Sequence, residues 1–375
     1  MAEQDTRALD ARYVMPAFGR TMKIVRGRGS RVWDDAGKEY IDCVAGIAVC
    51  STGHCHPAVV EAVSRQAAEL IHCSNLYYVP HQAELAAKLV EITDQAKAFF
   101  SNSGAEANEG AVKLARVRTG KKNFVAFTNG FHGRTCGSLA VTHKPAIREP
   151  FAPLEPACTF VEYGDLDGVA EAVNASTAGV FVEPIQGEAG VIVPPDSFFA
   201  GIREICDDAG ALMIVDEVQT GIGRTGTWLG IQQTGVTPDI VTLAKGLASG
   251  FPIGALVARE GLEFRKGEHG STFAGGPLAS AAALATLGVV EEILPDIPQK
   301  GERFRQGLAA HEPRVRGLMI GISVGERCPE VQQRCAEEGV LVNCAADGNL
   351  RLVPPLVITD EEIDHVVEVL NAALD

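Results

Sequence analysis

Short apolar runs alternate with longer amphipathic segments through the middle of the chain. Runs rich in β-branched and aromatic residues predict strands at 98–100, 123–127, 179–182, 212–215 and 239–243. Helical spacing of apolar positions predicts helices over about 105–118 and 197–209. Strands and helices that alternate in this order form a largely parallel sheet with helices on both faces. The pattern therefore predicts an α/β fold.

The pattern changes at Pro277 toward helices with short strands between them. It predicts helices and strands at 278–294, 296–312, 316–323, 339–343, 350–353 and 360–373, which together make a smaller α+β domain. Near the start, residues 31–41 predict a hairpin around Asp35–Gly37. We therefore expect three parts of the chain: an N-terminal segment at 1–45 that packs with the small domain, a large domain at 46–283 and the small domain at 284–375.

Composition and charge exclude several classes of protein. Hydrophobic residues make up 46% of the 375 residues and charged residues 22%, which favours a folded globular chain. The net charge is −15 without a basic run, which argues against nucleic acid as a partner. Residues 1–12 lack an export signal, and no apolar run approaches the ~20 residues of a membrane helix. We expect a cytoplasmic protein without a membrane partner, whose ten cysteines are reduced.

Residues that follow the predicted strands deserve most weight, because ligands of open α/β sheets bind at the carboxyl ends of the strands. After the strand at 98–100, small residues at Ser101–Ala105 lead into a helix. Free backbone N–H groups and the positive end of a helix dipole suit a phosphate at that position. A serine N-cap with a tight turn is the structural alternative.

Two acids, Asp216 and Glu217, follow the strand at 212–215. Buried carboxylates need a cationic or metal partner, whereas carboxylates at a solvated strand end do not. A nucleotide hydrolase would use the same pattern. The Gly-Lys pairs at 37–38 and 120–121, however, lack the remainder of a phosphate-binding loop.

Two other patterns suggest ligand sites without meeting their requirements. Residues 221–226 match G-x-G-x-x-G, but they neither follow a strand directly nor open a helix, so we interpret them as a glycine-rich loop. His54-Cys55-His56 together with His72-Cys73 suggests zinc, but the spacing fits no known zinc site. We therefore predict buried core residues there, and no metal.

Lys245 closes the apolar run that begins at 239 and precedes a flexible loop with no nearby acid. Burial at a strand end would lower the pKa of its ammonium group and leave a nucleophilic amine, whereas an exposed lysine is the alternative. A phosphate site, a carboxylate at Asp216 and a nucleophilic lysine are the three protein parts that pyridoxal phosphate needs. Their combination favours a pyridoxal-phosphate enzyme.

Six segments resemble the motifs of the class III pyridoxal-phosphate aminotransferases, in the same order and at similar spacing. They lie at 103–108, 131–135, 183–188, 215–226, 243–246 and 271–277, and the resemblance covers essentially the whole chain. It implies pyridoxal-phosphate fold type I, with a mostly parallel seven-stranded sheet in the large domain. It also implies a homodimer with active sites at the subunit interface.

The resemblance also implies roles for individual residues around the cofactor. Lys245 would carry pyridoxal phosphate as a Schiff base, and Asp216 would pair with the pyridine nitrogen. The other cofactor-binding residues would be Ser103, Gly104, Ala105, Phe131, Glu217, Val218, Gln219 and Thr272, the last reaching across from the other subunit. A core aromatic at Phe131 and a helix cap at Thr272 are the structural alternatives.

Four residues would bind the substrates, again by resemblance. Arg134, with Ser271 nearby, would clamp the α-carboxylate of the amino donor through a bidentate contact. Glu188 would mask Arg351 while the donor is bound and release it to hold the α-carboxylate of glutamate. An ordinary surface arginine at Arg134 and a simple Glu188–Arg351 ion pair are the alternatives.

The reaction we expect moves the terminal amine of N2-acetyl-L-ornithine to 2-oxoglutarate, in ping-pong order through Lys245. Ornithine, succinyldiaminopimelate, 4-aminobutyrate or a carrier-linked lysine precursor are alternative donors. An aminomutase of the glutamate-semialdehyde kind would share the fold without consuming 2-oxoglutarate. A non-catalytic pyridoxal-phosphate regulator would need a DNA-binding module, and residues 1–45 contain no basic helix.

Overall fold

The computed structural model describes residues 5–375, so residues 1–4 of the predicted N-terminal segment lie outside the described residues. The strands are β1 (Ile24–Arg28), β2 (Arg31–Asp34), β3 (Glu39–Asp42), β4 (Lys97–Ser101), β5 (Asn123–Phe127), β6 (Cys158–Val161), β7 (Thr177–Val182), β8 (Leu212–Asp216), β9 (Ile240–Leu243), β10 (Gly254–Ala258), β11 (Arg314–Arg316), β12 (Met319–Ser323), β13 (Val340–Leu341), β14 (Asn343–Cys344) and β15 (Asn349–Leu352). The helices are α1 (Thr6–Tyr13), α2 (Ala45–Ala48), α3 (Pro57–Glu69), α4 (Gln82–Thr93), α5 (Gly104–Thr119), α6 (Cys136–Ala140), α7 (Pro145–Arg148), α8 (Leu166–Ala172), α9 (Phe198–Ala209), α10 (Pro277–Ile293), α11 (Ile297–Gly307), α12 (Cys328–Glu337) and α13 (Asp360–Leu374).

The largest sheet has seven strands in the order β4-β10-β9-β8-β7-β5-β6. β6, β5, β7, β8 and β9 are parallel to one another, whereas β10 is antiparallel to both of its neighbours. This arrangement confirms the prediction of a mostly parallel seven-stranded sheet in an α/β fold. The hydrophobic pattern had located β4, β5, β7, β8 and β9 but not β6 and β10.

Both faces of this sheet are covered, and alternate residues of each strand face opposite sides. Phe124 and Ala126 of β5 belong to the apolar cluster that includes α5, whereas Val125 and Phe127 belong to the cluster that includes α4, α9 and α10. Strands buried on both faces become continuous apolar runs in the sequence. This is why the central strands were recognisable.

Two smaller sheets lie outside the seven-stranded one. The first has the order β1-β2-β3-β13, with the predicted hairpin of β2 and β3 at its centre and β13 paired parallel to β3 through Val340 and Ile41. The second has the order β11-β12-β15-β14. The segment predicted as one strand at 316–323 is instead two strands, β11 and β12, paired antiparallel around Gly317. Its positive φ of 53° suits the tight connection.

The expectation of reduced cysteines is wrong at one pair. Cys328 at the start of α12 and Cys344 in β14 form a disulfide whose Cα atoms are 5.9 Å apart, while the other eight cysteines are free. Their separation of 16 residues hid this pairing from the sequence, because only the fold of the C-terminal region brings them together.

One apolar stretch, Pro277–Gly307, is long and apolar enough by composition to cross a membrane. Half of its most apolar window is buried inside the fold. It includes α10, whose Ala282, Ala283, Leu287 and Val290 are part of the main apolar cluster. A buried core helix can be as long and as apolar as a membrane-spanning helix, so length and composition alone do not distinguish the two.

Replacement of Leu114 by Ala should measure how strongly α5 is held against the sheet. Leu114 is fully buried, so we expect a loss of about 2–5 kcal/mol in the free energy of unfolding, measured by urea titration. Val117 on the same helix is 45% exposed, and its replacement by Ala should change the free energy of unfolding by less than about 0.5 kcal/mol. Equal losses in the two variants would contradict this packing.

Candidate active site

A cavity of about 430 Å³ lies at the carboxyl ends of the parallel strands. Each wall is the segment that follows a strand, as expected for an open α/β sheet. The predicted residues that line it are Ser103, Gly104, Ala105, Phe131, Arg134, Asp216, Val218, Gln219 and Lys245. The fold thus brings together most of the residues selected from the sequence.

The start of α5 forms one end of the cavity. Ser103 is its N-cap, and the Ser103 hydroxyl accepts a hydrogen bond from the Glu106 N–H at 3.2 Å. A Cβ atom at Gly104 would lie 2.8 Å from Val218 Cγ1, so the close approach of these two segments requires glycine. The serine cap and an anion-binding helix N-terminus therefore coexist, because the cap leaves other N–H groups of the first turn without helical partners.

Asp216 is buried and held by three groups on different segments. Its Oδ2 accepts a hydrogen bond from Asn108 Nδ2 at 2.8 Å and lies 2.8 Å from His132 Nδ1, while its Oδ1 accepts one from the Val218 N–H at 2.9 Å. Burial alone would lower the pKa of His132, but the bond to Asp216 outweighs it and raises that pKa. The pair therefore favours an imidazolium next to a carboxylate.

His132 and Asn108 are functional candidates that the sequence analysis missed. Both lie inside recognised motifs, next to Phe131 and at the end of the segment that starts at Ser103. Thr242 in β9 donates a hydrogen bond to Asn108 Oδ1 at 2.7 Å, which fixes the amide orientation toward Asp216. A polar residue on the buried face of a helix was the available signal.

Lys245 begins a short 3₁₀ turn directly after β9 and has a left-handed backbone with φ of 41°. This conformation is uncommon for a residue with a side chain and occurs preferentially at functional sites. Burial lowers the pKa of the Lys245 ammonium group, and the nearby Glu188 carboxylate opposes that effect. An amine with a lowered pKa next to a cavity is available as a nucleophile.

Phe131 and Arg134 lie on the loop between β5 and α6, on another wall. The Phe131 N–H donates to Glu183 Oε1 at 3.0 Å, and burial raises the pKa of Glu183 to about 7. The Arg134 guanidinium carbon is 6.0 Å from the centre of the Phe131 ring. Arg134 is exposed, so its guanidinium is free to meet an anion that enters the cavity.

Glu188 and Arg351 form an ion pair of 2.6 Å beside the cavity, and the Arg351 side chain is fully buried. Gln219 Oε1, on the cavity wall, accepts a second hydrogen bond from Arg351 Nη1 at 3.2 Å. Burial would raise the pKa of Glu188, but the charges of Arg351 and Lys245 lower it. The lowered pKa favours the ionised form of the Glu188 carboxylate in its ion pair with Arg351.

Besides Glu188 and Arg351, three other predicted site residues do not line the cavity. The Glu217 carboxylate accepts the backbone N–H groups of Gly230 and Ile231 at 2.9 and 2.8 Å, and its contact with the cofactor stays a prediction. Ser271 Oγ accepts a hydrogen bond from Asn102 Nδ2 at 3.2 Å. Thr272, next to it, is exposed.

The patterns that resembled other ligand sites have structural explanations. Residues 221–226 form consecutive turns, as the interpretation of a glycine-rich loop requires. His54 Nε2 lies 2.8 Å from Asp42 Oδ2, and the His56 ring accepts the Ala58 N–H at the start of α3. Cys55 and His72 are exposed and the other three residues of the two segments are only partly buried, so the prediction of buried core residues there is wrong. Among residues 5–375, no group of three potential ligands could hold a metal ion.

A lysine, a buried carboxylate and a helix N-terminus around one cavity of this α/β fold define a pyridoxal-phosphate-dependent enzyme of fold type I. The family model for aminotransferase class-III matches residues 15–374. The chain belongs to the class III aminotransferases, and it is a transaminase.

Named relatives and solved structures agree with this assignment. An acetylornithine aminotransferase from Methanosarcina acetivorans is 51% identical over 374 residues, covering 97% of this chain and 95% of that protein. One from Methanopyrus kandleri is 50% identical and covers 99% of each chain. The crystal structure of the ornithine aminotransferase from Toxoplasma gondii superimposes with a TM-score of 0.94 at 32% identity, covering 100% of this chain and 95% of that one.

The position of Glu217 generates a prediction about stability. Burial raises its pKa from 4.5 to about 7, so between these pH values the folded chain binds a proton that the unfolded chain has released. The free energy of unfolding should therefore fall as the pH rises from 5 to 8. We expect this fall to be smaller in Glu217→Gln, by on the order of 2 kcal/mol, because the amide does not titrate.

Urea titrations of both proteins at pH 5 and pH 8 provide the measurement. Glu183 titrates in the same way in both, so its contribution cancels in the comparison. Identical pH dependence in the two proteins would show that Glu217 is not a buried, proton-binding carboxyl group.

Proposed function

We propose that the chain transfers the terminal amino group of N2-acetyl-L-ornithine to 2-oxoglutarate, giving N-acetylglutamate semialdehyde and L-glutamate, a step of arginine biosynthesis. The observation that carries this proposal is that Lys245, Asp216 and Arg134 line one cavity, while Arg351 lies beside it and donates a hydrogen bond to Gln219 of the cavity wall. Relatives named acetylornithine aminotransferases at about half identity support the choice of donor.

The cavity fits pyridoxal phosphate, which when bound supplies an electron sink for the carbon that carries the substrate amine. The first turn of α5, at Ser103–Ala105, would hold the phosphate with backbone N–H groups and the helix dipole. Asp216, oriented by His132 and Asn108, would keep the pyridine nitrogen protonated. Phe131 would contact the ring through its flat face, and Val218 and Gln219 would lie next to it.

Lys245 performs the proton transfer in this proposal. Burial lowers the pKa of its ammonium group, which favours the neutral amine, and neutral Nζ can remove a proton from the carbon that bears the terminal amine. The same Nζ would then deliver that proton to the cofactor carbon. The Lys245 side chain is itself only partly exposed, which limits exchange of that proton with water.

Two arginines serve the two substrates in turn. Arg134 binds the α-carboxylate of the acylated donor, whose distant amine then reaches Lys245. The Glu188 carboxylate masks Arg351 during this half-reaction, as in the ion pair of 2.6 Å. When 2-oxoglutarate enters, Glu188 moves away and Arg351 holds its α-carboxylate. Because the chain carries a net charge of −15, these local arginines, rather than its overall field, attract the anionic substrates.

A homodimer and a cytoplasmic location are also part of the proposal. Exposed apolar side chains occur at Leu76, Tyr77, Tyr78 and Phe273, near the loop that contains Thr272. Asn75 Nδ2 joins the two segments through the carbonyl of Ala274 at 3.0 Å. A second copy that covers this surface would receive Thr272 at its own phosphate site.

The division into parts at 1–45, 46–283 and 284–375 remains our proposal for the domain limits.

Replacement of Lys245 by Ala tests the proton-transfer role. We expect turnover to fall at least about a thousandfold, because both the nucleophile and the proton carrier are lost, while pyridoxal phosphate still binds without a covalent link. The measurement is glutamate formation together with the absorbance spectrum of the bound cofactor. Lys122→Ala, on the exposed surface, is the control and should retain full activity. Full turnover by the Lys245 variant would remove the mechanism.

Donor choice is tested by assaying the wild-type protein with 2-oxoglutarate and each of N2-acetylornithine, ornithine and 4-aminobutyrate. We expect kcat/KM to be highest for N2-acetylornithine, at least about tenfold above the others, and glutamate to appear in equal amount to the semialdehyde. Ornithine as the best donor would favour the function of the Toxoplasma gondii neighbour instead. Product without 2-oxoglutarate consumption would identify an aminomutase.

A further inference from the structure

Arg134 is exposed and lies in a segment without regular secondary structure. Among the residues that the structure describes, no carboxylate forms an ion pair with it. It directly precedes Thr135, the N-cap of α6. The position of the start of α6 therefore determines the direction in which the backbone at Arg134 enters the helix. The groups that fix the start of α6 accordingly control where the guanidinium can reach.

The first turn of α6 is capped by a residue of another helix. The Thr135 side chain makes no capping hydrogen bond to this turn. Instead, Glu109 Oε1 of α5 accepts the N–H groups of Gly137 at 2.7 Å and Ser138 at 3.2 Å. These are the second and third helical positions, whose N–H groups an N-cap side chain normally satisfies. A Cβ atom at Gly137 would lie 2.3 Å from Glu109 Oε2, so glycine is needed for this approach.

A second contact joins the other side of Arg134 to the same helix. Gly133 has a φ of 137°, and a Cβ atom there would lie 2.8 Å from Ala105 Cβ, in the first turn of α5. The stretch from Gly133 to Ser138 thus follows α5 closely at both ends. Since α5 is a single helix of 16 residues, its first turn and Glu109 cannot move independently.

We propose that Glu109 is a positioning residue that fixes Arg134 relative to the first turn of α5 and so makes the enzyme select donors with an α-carboxylate. The inference rests on the proposed role of Arg134. One rigid helix would then set both the phosphate position and the carboxylate position, which together define the distance that a donor must span. A displacement of about 1 Å in such a contact can cost up to about a hundredfold in rate.

The test compares two donors that differ only in the carboxylate: N2-acetylornithine and N-acetyl-1,4-diaminobutane. Glu109→Ala should lower kcat/KM for N2-acetylornithine about ten- to a hundredfold, mainly through KM, and change kcat/KM for N-acetyl-1,4-diaminobutane less than twofold. Glu109→Gln, whose amide oxygen still accepts hydrogen bonds, should recover most of the loss. Adding Glu109→Ala to Arg134→Ala should have no further effect.

A readout that does not depend on activity accompanies the kinetics. Hydrogen exchange of the Gly137 and Ser138 amides in the cofactor-loaded protein should be faster in Glu109→Ala than in the wild type, because their acceptor is gone. Glu171→Ala is the matched control, since Glu171 is exposed on α8 and makes no hydrogen bond or ion pair among the residues described here. It should match the wild type in every measurement.

Equal losses with both donors in Glu109→Ala, or no loss with either, would overturn the positioning role. Failure of the wild type to prefer N2-acetylornithine over N-acetyl-1,4-diaminobutane would instead refute the role of Arg134 in the proposed function. If Glu109→Ala does not fold, Glu109→Gln decides the question: a donor-specific loss smaller than about tenfold supports the proposal, and an equal loss on both donors overturns it.

Discussion

The hydrogen-bonded burial of the Asp216 carboxylate is the constraint on which the site depends. A carboxylate removed from water is costly unless several donors surround it, and Asn108, His132 and the Val218 N–H provide them. These donors come from α5, from the loop after β5 and from the turn after β8. Satisfying one charge therefore aligns three walls of the cavity, including the first turn of α5 and the loop that carries Phe131.

The two arginines proposed to bind the substrates are also connected to the residues around Asp216. Gln219 lies on the turn that begins at Asp216, and it touches both members of the Glu188–Arg351 pair. A shift of that turn would change how readily the pair opens. Arg134 is held from the opposite side, through α5. The two arginines proposed to bind carboxylates are thus linked to the proposed cofactor site by separate elements, which would suit substrates that bind in succession.

Much of the fold could be predicted from the sequence, because central strands buried on both faces appear as uninterrupted apolar runs. β10 was missed because Gly254 and its small neighbours continue a glycine-rich loop without a change in pattern. The positions of Asp216 and Lys245 could be predicted from their places after strands. The hydrogen bonds of Glu217 to Gly230 and Ile231 could not be predicted, because they depend on how the loop after β8 folds back on itself. The partners of Asp216 could not be predicted, since Asn108 lies 108 residues away along the chain.

The amine of Lys245, which lines the same cavity as Asp216, is proposed to carry the cofactor. Reduction of the cofactor-loaded protein with sodium borohydride fixes the cofactor on the amine that holds it, and peptide mapping by mass spectrometry then locates it. The phosphopyridoxyl group should be found on the peptide that contains Lys245 and on no other. A label on any other lysine, or no label at all, would contradict the account.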